Sequence, residues 1–304
     1  EKSNQDQKIA SSDQFIKEKI DSIDIKKFNT DESSNSKKDE KTGQIIITVP
    51  SIEIEDQYQI KSNCNITSKC NTIIKCNSFL ISAASVSISN INFESAVIVS
   101  DINDFTMANC TITKSQSNVA ALKISECENG TISHVTITDI EKAPGLYIFQ
   151  NSVIMADHLL IHDISETLLV CGNASFLTIT DSQFYNTQSN GIYVRSQSVI
   201  DIENCSFKNT SYPALFVNDS QITALNNKFE NIDQSSISVT SSKDFRIERN
   251  EFTRVNNSAI SITQDSYGVI SENTFTKVGG NGIFCSESKV EIKANLMTDV
   301  TFPG

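Results

Sequence analysis

Ile247-Glu248-Arg249-Asn250-Glu251-Phe252 recurs as Ile270-Ser271-Glu272-Asn273-Thr274-Phe275 and, with Met in the last place, as Ile292-Lys293-Ala294-Asn295-Leu296-Met297. The last residue of each belongs to a column running Phe184, Phe207, Phe229, Phe252, Phe275, Met297, at intervals of 23, 22, 23, 23 and 22 residues. Two residues before each member stands Ser182, Cys205, Asn227, Asn250, Asn273 or Asn295. A period held this tightly is the mark of a chain coiled on itself, in which each coil supplies the apolar surface its neighbour needs.

The spacing inside one period gives the class. Mostly apolar residues stand seven and five places before the Phe column: Leu177/Ile179, Ile200/Ile202, Ile222/Ala224, Phe245/Ile247, Gly268/Ile270 and Val290/Ile292. Others stand eight and ten places after it: Ile192/Val194, Leu215/Val217, Ile237/Val239, Ile260/Ile262 and Ile283/Cys285. A spacing of two is strand periodicity with one face inward, and no helical period is sustained here. Three short strands per coil define three faces, called first, second (the Phe column) and third below. Stacked coils put each strand beside its equivalent at about 4.8 Å, so like side chains pile on like. The expected fold is all-β: a single-stranded right-handed parallel β-helix of about ten coils, each of about 22–23 residues.

The Asn column marks a tight bend, because Asn tolerates the left-handed backbone region and stacked amides can bond along the column. Gly145, Gly191, Ala214, Ser236, Ala259 and Gly282 precede the third strand, where a small residue lets the chain turn in. Towards the N-terminus, Phe93, Ile112, Ile137 and Ile164 continue the Phe column at steps of 19, 25, 27 and then 20 to Phe184. These unequal steps predict loops within about residues 113–164, and loops are where a solenoid carries function.

The Ile-x-x-Asn-x-Phe segments, with Gly-Ile-Tyr-Val at 191–194 as turn and strand, resemble the parallel β-helix repeat of the pectin-lyase-like superfamily over about residues 80–304. The resemblance implies the fold and leaves the activity open, since the group includes lyases, hydrolases, epimerases and non-catalytic scaffolds. The polygalacturonase-like members carry Gly-His-Gly and Arg-x-Lys segments, and neither occurs in this chain. Pectate-lyase relatives hold calcium on several Asp of one face, and no such Asp column is read. Asp201 and Glu203 flank inward Ile202, with Arg246/Glu248 and Glu291/Lys293 at equivalent places, which reads as a solvated mixed-charge face. The resemblance is therefore closest to the non-catalytic members.

Composition fits this class. The 304 residues contain no Trp and only four Pro, and the net charge is −12. Residues 1–43 hold nine Lys and ten acids and read as a polar, largely disordered segment with a possible short helix over Ser12–Phe28. Residues 44–80 read as irregular capping coils, and 81–304 as the β-helix, truncated at its C-terminal end. An acidic surface disfavours nucleic acid and anionic membranes, and no segment reads as a transmembrane span. Cys110, Cys205 and Cys285 take the places of small interior residues, which fits reduced thiols in a cytosolic setting. Cys64, Cys70 and Cys76 lack the close pairing of a zinc site. Eight N-x-[ST] triplets, at Asn65, Asn109, Asn129, Asn173, Asn204, Asn209, Asn218 and Asn256, fit a secreted or surface setting instead.

Two groups of residues stand out as candidate sites. The position between the two inward residues of the third strand points outward and holds Tyr147, Tyr193, Phe216, Ser238, Ser261 and Phe284. Outward aromatics on a sheet dock a sugar ring or a partner's side chain, so Tyr147, Tyr193, Phe216 and Phe284 are the candidate binding residues. In Asp157-His158-Leu159-Leu160-Ile161-His162-Asp163, two His stand four apart, each beside an Asp. His162 is placed at the Asn-column bend, leaving Asp157, His158 and Asp163 as the weak metal candidates. No cofactor is implied. The expectation is a non-catalytic binding or scaffold module for a protein or glycan. The alternatives are a carbohydrate-active enzyme of the pectin-lyase-like group and an adhesin-like repeat protein.

Overall fold

A computed structural model of the chain describes residues 42–113 and 118–302. Among them every strand pairing is parallel, from Gly43–Ile47 to Leu296–Phe302. The second face carries one register column through Ile52, Ile74, Phe93, Ile112, Ile137, Ile161, Phe184, Phe207, Phe229, Phe252, Phe275 and Met297. The chain therefore makes about eleven turns, close to the ten expected. The expected polar segment 1–43 lies almost wholly outside the described residues. The stretch 44–80, read as irregular capping coils, contains the strands Ser51–Glu53, Gln57–Ile60 and most of Cys64–Ile81 in parallel register.

The interior is a narrow apolar stack. Phe184, Phe207, Phe229, Phe252 and Phe275 are fully buried, with successive ring centroids 4.9–5.0 Å apart and planes within 7–11° of parallel. The coil rise sets that distance, so each Phe lies on the face of the one before. Burial of such rings is the main driving force for a chain whose coils have no core of their own.

The corners carry hydrogen-bond ladders, because a buried bend must satisfy its backbone. Between the first and second faces, the Nδ2 of Asn227, Asn250 and Asn273 donates to the Oδ1 of the next Asn at 3.0–3.1 Å. The same Oδ1 atoms accept the backbone N–H of the preceding Asn, and each Nδ2 also donates to a first-face carbonyl at 2.9–3.0 Å. A second ladder lies between the third face and the next first face. There the backbone N–H groups of Cys127, Ser152, Ser175, Ser198, Ser220 and Ser242 each donate to the Oγ of Ser one coil on, at 3.0–3.4 Å. At the remaining corner the small residues allow close approach: a Cβ on Gly191 would lie 2.5 Å from the Ala214 carbonyl oxygen.

Two expectations are corrected. Ile161, not Ile164, belongs to the Phe column, which makes the steps 25, 24 and 23 and leaves no long loop among the described residues of 113–164. His162 is accordingly not at the Asn-column bend. Leu159 is there, its N–H bonded to Ser182 Oγ at 2.9 Å, and His162 points outward between Thr138 and Tyr185. The cause is a left-handed residue within the second strand, Asp163 at φ 53°, which turns both Ile161 and Ile164 inward.

Candidate functional site

The third face is built from Leu146–Phe149, Leu169–Cys171, Ile192–Arg195, Leu215–Asn218 and their neighbours. Alternation along each strand sends Leu146/Ile148, Ile192/Val194 and Leu215/Val217 into the core. The outward column is Lys123, Tyr147, Val170, Tyr193, Phe216, Ser238, Ser261, Phe284. Tyr193 and Phe216 stack at 5.1 Å with planes 11° apart. Phe284 shares the column but stands three coils from Phe216, beyond two serines.

A second outward column, two residues on, completes the platform. Phe149 stacks on Tyr147 at 4.8 Å, and the Lys123 ammonium lies 5.0 Å from the Phe149 ring centre. Gly172 follows Phe149 in the next coil, and its missing side chain leaves a slot. Arg195 lies in that slot, its Cγ 3.4 Å from where a Gly172 Cβ would be. It donates from Nη2 to the Tyr147 hydroxyl at 3.0 Å and lies 5.7 Å from the Tyr193 ring centre. Its Nε is buried without a hydrogen-bond partner. Two cations and four aromatic rings thus share one face of an acidic chain. Phe149, Arg195 and Lys123 went unread in the sequence, although each occupies an outward third-face place that strand alternation would have picked out.

The His and Asp residues separate into two groups. His134 and His158 occupy equivalent left-handed corner positions on adjacent coils, and their rings stack at 4.5 Å, 4° from parallel. Asp157 Oδ2 lies 2.8 Å from His158 Nδ1 and 3.9 Å from His134 Nδ1. Asp163 does not join them. It pairs with His162 at 2.6 Å and accepts from Asn186 Nδ2 at 2.8 Å, and these bonds, the Asn186 one foremost, hold its carboxyl below the usual range.

Two of the mixed-charge pairs on the first face are engaged locally, and Glu203 accepts from Asn226 Nδ2 at 3.0 Å. Arg246 and Glu248 pair at 2.6 Å, and that hydrogen bond pulls the Glu248 pKa down against the opposing effect of burial. Lys293 pairs with Glu291 at 3.1 Å. All eight cysteines are free. Burial pushes the Cys110 and Cys127 thiols up to about 11 and those of Cys171 and Cys205 up to about 12. Cys285 holds an inward register place beside Ile262 yet is exposed, because no further described coil packs against it. Among the described residues no helix is long and apolar enough to cross a membrane.

Residues 167–303 match the family model described as the right handed beta helix region. No curated protein matches the chain in sequence. Among solved structures, ORF18 of Geobacillus virus E2 is similar with a TM-score of 0.54 at 13% identity, over 83% of this chain and 54% of the viral one. The chain thus spans about half the length of that protein. The A-module of mannuronan C-5 epimerase AlgE4 from Azotobacter vinelandii is similar with a TM-score of 0.52 at 11% identity, over 86% of this chain and 90% of the module. At such identities the likeness is one of fold, and function has to be argued from the site. The parallel register and the family match over 167–303 make the chain a right-handed parallel β-helix.

Proposed function

We propose that the chain is a non-catalytic β-helix binding module whose third face holds an acidic polysaccharide. The observation that carries this reading is Arg195, laid between Tyr147 and Tyr193 on a platform that continues to Phe216. Aromatic faces stack on the apolar face of a sugar ring, and a guanidinium fixed by packing offers donors to a carboxylate without losing much side-chain entropy on binding. Lys123 adds a second cation on the same face. One neighbour of this architecture is named for acting on mannuronan, which fits a polysaccharide ligand. Glu248 and Glu291, tied to Arg246 and Lys293, are poorly placed as a free catalytic pair.

Affinity electrophoresis in gels containing polygalacturonate or a neutral glucan tests the reading. Retardation by polygalacturonate alone is expected, weakening as salt is added and lost on Tyr193→Ala with Phe216→Ala while the melting curve stays cooperative. Equal migration in both gels overturns it. Shortening or epimerisation of the polysaccharide by the native chain would establish the enzymatic alternative.

A further inference from the structure

We propose that His134, Asp157 and His158 bind a divalent transition ion of the zinc, nickel or copper class. The parallel register pairs Ser133 with Asp157, and His134 and His158 follow as the corner residues of their coils, at φ 53° and 51°. One backbone conformation on two adjacent coils presents two imidazoles in the same direction. Both Nδ1 atoms turn to Asp157 Oδ2, and one ligand atom from each of the three residues lies within 4.8 Å of the other two. Bonds of about 2.0–2.2 Å from nitrogen and oxygen to zinc imply ligand separations of about 3.3–3.6 Å in a tetrahedron. The observed 2.8 and 3.9 Å fall on either side of that range, and the stacked rings must tilt out of parallel for both nitrogen lone pairs to meet one ion.

The surroundings fit an ion. Ser133 Oγ donates to Asp157 Oδ2 at 3.2 Å and lies 2.8 Å from His134 Nδ1, which steadies the carboxylate beside the Nδ1 edges of the two rings. The His side chains are 56% and 52% exposed, so an ion enters from solvent without displacing the core. Asp181 takes the equivalent corner position one coil on, at φ 50°, and adds negative charge beside the cluster. Two imidazoles and one carboxylate suit zinc, nickel or copper, whereas calcium and magnesium take oxygen donors. Three protein donors leave a fourth position for water or an added ligand. The site lies at the corner between the first and second faces, so it stands or falls independently of the third-face platform.

Calorimetric titration of the 304-residue chain with zinc chloride tests the proposal, with Cys70→Ser and Cys285→Ser in the background to remove the exposed thiols. One equivalent of zinc is expected to bind, and calcium is expected not to compete. His134→Asn or His158→Asn is expected to weaken binding at least tenfold. Asn is chosen because Asn109 and Asn204 occupy this corner in other coils at φ 52° and 56°, so the backbone is kept. Unchanged melting temperatures separate loss of the site from loss of the fold. Absence of stoichiometric binding, or binding that survives both substitutions, overturns the proposal.

Discussion

Arg195 donates to the hydroxyl of Tyr147, 48 residues earlier in the chain and two coils away, across the slot left by Gly172. The bond exists because one residue of the intervening coil has no side chain. Gly172→Val is therefore expected to push Arg195 off the face. Tyr147→Phe removes only the acceptor and should leave the guanidinium in its slot but less well held. On the polysaccharide reading, Gly172→Val costs at least tenfold in retardation by polygalacturonate, and Tyr147→Phe costs less. Both variants should melt within about 1 kcal/mol of the native chain, since neither touches the core. Native-like binding by Gly172→Val would count against Arg195 as the contact.

The Asn ladder makes a sharper claim about stability. Asn250 accepts from the backbone N–H and Nδ2 of Asn227, and donates to Asn273 Oδ1 and the Ala224 carbonyl, all within the protein. Asn250→Ala strands buried donors on one side and a carbonyl on the other, which is expected to cost at least about 2 kcal/mol. Asn250→Asp should be worse at neutral pH, because a carboxylate cannot donate to Ala224 and would place a charge in the interior. Urea titrations of the two variants check the order. An Asp variant more stable than the Ala variant would refute the donor role assigned to Nδ2.

How far this could be read from the sequence depends on which physical constraint each feature obeys. Phe184 to Phe275 showed the period because a stacked aromatic column accepts few substitutes. The Asn ladder showed it because a buried bend needs both a donor and an acceptor. The serine ladder at Ser152, Ser175, Ser198, Ser220, Ser242 and Ser266 also repeats, every 22 to 24 residues, and went unread among many other serines. Register slipped where aliphatics replace Phe. Ile161 and Ile164 both face inward around the left-handed Asp163, so either could serve as the column member. The same inward pair, three apart, recurs as Phe252/Val255 and Phe275/Val278 and would have fixed the choice. The slot at Gly172 was not legible, because it depends on side chains from three coils meeting across a gap.

Thiol reactivity should divide the cysteines by depth. The thiolate is the reactive form, and burial holds Cys110, Cys127, Cys171 and Cys205 at about 11 to 12. Cys70 and Cys285 are exposed. Alkylation of the native chain with iodoacetamide at pH 8, read by peptide mass spectrometry, is expected to label Cys70 and Cys285 first. The four deep thiols should remain unlabelled until denaturant is added. Early labelling of Cys171 or Cys205 would mean that the coils open far more readily than a continuous stack allows.

Glu248 gives the pH dependence a defined sign. Its carboxyl is nearly buried and bonded to Arg246, so its pKa in the folded chain lies below that of the unfolded one. A depressed folded pKa contributes stability that is fully present above the unfolded value, about 4.3, and lost as pH falls through the folded value. Because the Arg246 partner is half exposed, solvent screens the pair and its contribution is small. Glu248→Gln is therefore expected to lower the melting temperature modestly at pH 7 and by less at pH 3, below the unfolded value, where the contribution of the charged carboxyl shrinks. A Gln variant equally destabilised at both values would show that the side chain acts through its packing and its Ser271 hydrogen bond rather than through the ion pair with Arg246.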